Sequence, residues 1–111
     1  MSQFIPVLTL PIVATGAITA ERFVTPAGAQ AGAGVNALGV ARSDAASGQS
    51  LPVDVLGTAI VTAGAAIAAG ALVETDATGR AITRSAGAIV GRALQAAAAA
   101  GARIEVLLIP N

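Results

Sequence analysis

The side chains able to do chemistry in these 111 residues are few: six Asp and Glu, six Arg, and a scatter of Ser and Thr, with no His, Cys or Lys. The lack of His removes the commonest general base and the commonest neutral metal ligand. Without Cys there is neither a thiolate site nor a disulfide framework, and redox compartment is left unmarked. Glu74 and Asp76 come nearest to a carboxylate pair or a calcium corner, but the ligand count falls short of a calcium loop. Asp44 and Asp76 stand where a short carboxylate hydrogen-bonds the backbone of a turn. Glu21, Asp54, Glu74 and Glu105 fall among strand formers and read as exposed faces or ion-pair partners. Gly28, Gly32 and Gly34 are spaced G-x-x-x-G-x-G, which is neither the dinucleotide fingerprint nor the phosphate loop, and no Lys follows. Arg42, Arg80, Arg84, Arg92 and Arg103 read as solvated or interface arginines. This inventory points away from an enzyme, and no cofactor, metal or small-molecule substrate is expected.

The elements that position these groups must be built from small residues. Hydrophobic types make up 55% of the chain, but 29 residues are Ala, 13 are Gly, and only Phe4 and Phe23 are aromatic. Apolar volume per residue is low, so the core is thin, and a thin core points to added stability from oligomerisation or docking. Net charge is zero with no basic cluster, so nucleic acid is not an expected partner. Residues 1–20 are apolar at the outset but lack the basic start of an export signal and are broken by Pro6, Pro11 and Gly16. The charge-free run 55–73 is long enough to span a bilayer, yet Gly57, Gly64 and Gly70 interrupt it and no aromatic or basic anchor flanks it. A membrane partner is not expected either.

An internal repeat organises the rest. Ala17-Ile18-Thr19-Ala20-Glu21-Arg22-Phe23-Val24 aligns with Ala66-Ile67-Ala68-Ala69-Gly70-Ala71-Leu72-Val73, an offset of 49 residues. Gly39-Val40-Ala41-Arg42 aligns with Gly91-Arg92-Ala93-Leu94 at 52. Ala45-Ala46-Ser47-Gly48 aligns with Ala98-Ala99-Ala100-Gly101 at 53, the offset that also joins Leu51-Pro52-Val53 to Ile104-Glu105-Val106. The copies, 16–57 and 65–110, constrain each other's structure. Residues 18–24 carry Glu21 and Arg22, which argues against a membrane helix at 67–73. The turn-forming 42–48 argues against a long helix in the Ala-rich 92–102, leaving 96–101 as a short, one-turn helical connection inside a hairpin.

Strand-like runs at 35–41, 49–56, 58–63, 71–75, 80–83, 89–94 and 103–109 are rich in Val, Ile and Leu and separated by Gly-containing turns. Residues 76–79 suit a tight turn with Gly79 at positive φ, and 25–34 reads as a surface loop. The expected fold is mainly β: a small compact barrel or sandwich-like domain over 16–111, built from a duplicated unit of about fifty residues. Residues 1–15 precede the repeat and read as an extended N-terminal arm, because Pro6 and Pro11 bar both a helix and a central strand. Its apolar side chains Phe4, Ile5, Val7, Leu8, Leu10 and Ile12 are the candidate partner contacts, made on the chain's own domain or across a neighbour.

The motifs Gly16-Ala17-Ile18-Thr19-Ala20-Glu21-Arg22-Phe23-Val24, Leu38-Gly39-Val40-Ala41, Asp44-Ala45-Ala46-Ser47-Gly48, Gly70-Ala71-Leu72-Val73-Glu74-Thr75-Asp76-Ala77-Thr78-Gly79 and Val90-Gly91-Arg92-Ala93-Leu94 resemble the phage capsid cement, or head decoration, proteins over residues 16–108. The resemblance implies a compact β domain, commonly a homo-trimer, made in the host cytoplasm. It would bind the major capsid protein on the outer surface of the phage head at three-fold and quasi-three-fold positions. It implies no catalytic residues. The lack of Lys and the long apolar arm depart from many members. The competing expectation is a small β adaptor or ligand-binding module of a larger assembly, which the lack of Trp and Tyr disfavours.

Overall fold

Short runs of β-branched residues and Leu, punctuated by Gly, fold in the computed structural model into strands joined by turns; the structure describes residues 6–109. The strands are β1 (Pro6–Val13), β2 (Phe23–Val24), β3 (Gly39–Ala41), β4 (Ser50–Thr62), β5 (Leu72–Thr75), β6 (Ala81–Thr83), β7 (Gly91–Ala93) and β8 (Arg103–Leu108). They make one sheet in the order β2-β3-β4-β8-β7-β5-β6, with β1 laid on β4, and all of these pairings are antiparallel. The sheet curls into a nearly closed barrel, and Thr62 N–H donates to the Glu21 carbonyl beside β2 at 2.9 Å. No helix long and apolar enough to cross a membrane occurs among the described residues.

The pairing is written twice. Phe23↔Val40 and Val24↔Gly39 recur as Leu72↔Arg92 and Val73↔Gly91. Val40↔Asp54 and Ala41↔Val53 recur as Arg92↔Leu107 and Ala93↔Val106. The bridge Ile18↔Ala45 recurs as Ile67↔Ala97, which puts the extra residue of the second copy after Ala97 and so shifts the start of the third aligned block by one.

β4 serves both copies. Its residues 50–57 pair with β1, and 58–62 pair with β8. Gly57, at φ 93°, lies at the changeover, where a residue with a side chain would be strained. The two runs expected at 49–56 and 58–63 are therefore one strand. The described part of the expected arm, residues 6–13, is β1, and its pairs Val13↔Ser50 and Ile12↔Leu51 recur as Thr62↔Arg103 and Val61↔Ile104. Similarity with a counterpart thus begins ahead of residue 16. Pro11 faces Pro52, a position where neither strand can donate to the other, so the ladder tolerates both rings and β1 is an edge.

The Ala-rich 96–101 connection is not helical. Ile67 and Ala97 exchange both main-chain hydrogen bonds at 3.0 and 2.8 Å, and Gly101, at φ 91°, donates to Ala63 at 2.8 Å. These backbone groups bond across the fold instead of along a helix, which overrides the local propensity of Ala. The 25–34 loop is less superficial than its composition suggests: Ala31 is buried, Gly34 N–H donates to Thr75 O at 2.9 Å, and Thr75 Oγ1 donates to Gly32 O at 2.5 Å.

Two apolar cores result. The smaller holds Ala14, Ile18, Val24, Ala41, Ala45, Leu51, Val53 and Val55. The larger holds their counterparts Ala63, Ile67, Val73, Ala93, Ala97, Ile104, Val106 and Leu108, and adds Phe23, Ala31, Ala37 and Val40 from the first copy. Phe23, with no exposed area, is the largest side chain buried there and contributes about 2–3 kcal/mol.

Candidate interaction surface

Most of the carboxylates hold hydrogen bonds or ion pairs within the fold. Asp54 is 1% exposed, accepts from Thr9 Oγ1 at 2.8 Å and pairs with Arg42 Nη2 at 2.8 Å. It was expected as an exposed face or an ion-pair partner; it is the latter, and lies buried between Thr9 of β1 and Val40 of β3 on either side of β4. Glu74 is also buried. The N–H groups of Ser85 and Gly87 donate to Glu74 Oε1, the latter at 3.3 Å. The Ser85 bond is the larger influence and, against the opposing push of burial, holds the carboxyl below its ordinary range.

Asp76 closes its turn as the sequence suggests, accepting from the N–H groups of Thr78 and Arg80 at 2.9 Å each. Burial pushes its carboxyl upward, but those N–H groups and the Arg80 guanidinium at 3.0 Å together hold it below the usual range. Asp44 accepts from Ala20 N–H at 2.7 Å, bridging two loops. Glu21 receives Arg103 Nε at 2.8 Å and Arg103 Nη2 in a bidentate pair. Arg42, Asp54, Glu21 and Arg103 flank a cavity of about 230 Å³ that is also lined by Val40, Ala41 and Ile60. Each charged group on that cavity already faces an opposite charge. Among the described residues no cluster of acidic groups could hold a metal ion.

Of the candidate contact residues, Phe4 and Ile5 lie outside the described residues, and Val7 lies within β1. Leu8 is 42% exposed. Leu10 and Ile12 turn toward the smaller core, where they stay half-buried beside Leu38 and Leu56. Val13 at 59%, Leu94 at 44% and Leu107 at 41% are the other large apolar groups open on the sheet strands and their ends. Sequence reasoning missed Leu94 and Leu107: both sit in ordinary strand patterns, and their exposure follows from which sheet face is left uncovered.

Three comparisons bear on this surface. No curated protein matches the chain. Among solved structures, it is similar to the head fiber gp8.5 N base of bacteriophage phi29, with a TM-score of 0.76, 20% identity, and 92% of this chain and 93% of that one covered. That likeness supports the all-β fold. The model of the phage cement protein family matches residues 2–108, nearly the whole length. This β domain, with three ion pairs inside it and apolar groups left open along its strands, belongs to the phage cement protein family.

Proposed function

We propose that this chain is a structural capsid decoration protein that binds the outer surface of a phage head and stabilises the shell by contact rather than by catalysis. The family match over residues 2–108 carries the reading. The partner is the major capsid protein, engaged at three-fold and quasi-three-fold positions by a homo-trimer. Zero net charge and the absence of a basic cluster support a protein surface over nucleic acid, and the engagement of Glu21, Asp54 and Asp76 in ion pairs and of Asp44 and Glu74 with backbone N–H groups supports a role without chemistry. Part of the grip comes from the start of the chain, Phe4, Ile5, Val7 and exposed Leu8, through apolar burial. Leu10 and Ile12, half-buried against the smaller core, are not part of this grip on the head. Main-chain pairing by β1 is made to β4 of the same chain, so side chains supply the grip.

The test is sedimentation of the purified chain with undecorated heads of its own phage. Saturable binding with raised thermal resistance of the heads is expected, and Leu8→Glu should lower occupancy at least tenfold. Heads that neither bind the chain nor gain stability from it would overturn the reading.

A further inference from the structure

Inside the chain, the two copies meet in one direction only. Phe23 and Val40 of the first copy join the core of the second and close it over Ala59, Val61 and Val90, all fully buried. The first copy's counterparts of those three covered positions, Leu10, Ile12 and Leu38, are only half-buried. The second copy's counterparts of Phe23 and Val40 are Leu72, half-exposed, and Arg92, exposed. Among the described residues, one end thus carries a covering face with nothing beneath it, and the other carries a core without its cover.

The main chain repeats the asymmetry. Thr62 N–H reaches the Glu21 carbonyl at 2.9 Å across the joint between copies. The corresponding groups are Val13 N–H and the Gly70 carbonyl, which among the described residues accepts only from the exposed Arg92 side chain, Nη1 at 2.8 Å, and from no backbone N–H across a joint. Val13, like Pro11 two residues before it, turns its backbone nitrogen away from β4.

We infer that a second copy of this chain completes the joint. Leu72 of one chain seats over Leu10, Ile12 and Leu38 of the next, and the Gly70 carbonyl, which has a second lone pair beside the one Arg92 uses, receives the Val13 N–H. The contact is head-to-tail, with different surfaces on its two sides; such a contact makes a ring when its rotation closes and a filament when it does not, and the trimer proposed above is the closed form. The inference deepens the trimer proposed above and rests on it: the fold of the chain is reused as the rule of assembly, each chain adding two units to the ring.

A chain without native Cys allows a direct test. Val13 and Ala69, which precedes Gly70, are both exposed. The double variant Val13→Cys with Ala69→Cys, oxidised at concentrations where light scattering shows assembly, should form covalent dimers and trimers on a denaturing gel. Either single variant should stay monomeric there. Val13→Glu should weaken association at least tenfold while leaving the circular dichroism spectrum unchanged. A covalent dimer from Val13→Cys alone would reveal a two-fold contact and overturn the inference. So would an assembled double variant that never cross-links; the trimer would then stand on another interface. A chain that is monomeric both in solution and on heads would overturn the self-assembly with it, and head binding by that monomer would leave the decoration role intact.

Discussion

Glu21 is the one non-glycine at positive φ among the described residues, at 64°, and it stands where the second copy has Gly70 at 87°. The two positions make the same main-chain bond, Glu21 to Ala41 at 2.8 Å and Gly70 to Ala93 at 2.7 Å. A side chain is tolerated at Glu21 at a backbone cost that its ion pair with Arg103, largely solvent-exposed, offsets only in part. Glu21→Gly should therefore leave stability within about 1 kcal/mol of the wild type. Glu21→Val, branched at Cβ, should cost about 2 kcal/mol in urea unfolding. Acid sensitivity is also set by single residues. Glu74 and Asp76 both have carboxyls held below their ordinary values in the folded state. Their stabilisation is present above about pH 4 and is lost as pH falls through the folded-state values. Glu74→Gln should lower the thermal midpoint at neutral pH and flatten its decline below about pH 4, a change that thermal melts across a pH series would record.

At the scale of elements, the aligned pair Gly39 and Gly91 shows why a strand can require glycine without unusual dihedrals. A Cβ on Gly39 would stand 2.0 Å from the Asp54 carbonyl oxygen, and one on Gly91 would stand 2.5 Å from Val106 Cγ1 and 2.8 Å from the Leu107 oxygen. β3 lies that close to β4, and β7 to β8, at the same place in both copies. Gly39→Ala and Gly91→Ala should each cost about 2 kcal/mol or more, measured as a shift of the urea midpoint at constant slope. The repeat of these glycines was legible in the sequence, as were the hairpin closed by Asp76 and the strands from β5 onward. β1 was legible only as extended: Pro11 takes the place of Ile60, its counterpart in β4, and hides the similarity, while the facing Pro52 that makes the ring harmless is distant in sequence. The helical reading of 96–101 failed for a related reason, since local propensity cannot register bonds offered by Ile67 and Ala63 from elsewhere in the fold.

At the scale of the whole molecule, β4 belongs to both copies and Phe23, Ala31, Ala37 and Val40 finish the second copy's core. The halves should therefore unfold together, giving one urea transition by both fluorescence-independent probes, circular dichroism and amide exchange. A fragment of residues 58–109 should lack the dispersed amide spectrum of the full chain, because its core has lost its cover; a folded fragment would show that the joint is dispensable. The sequence by itself determined the fold class: its runs of Val, Ile and Leu, its Gly-containing turns and its doubled pattern of small residues specify a small β domain. Only the tertiary structure decided which apolar side chains are left open. Period-two alternation gives every strand two faces, and which face is covered depends on how one copy lies on the other. That is why Leu10 and Ile12, marked by composition as partner contacts, line a half-open core, while Leu94 and Leu107 stand in the open.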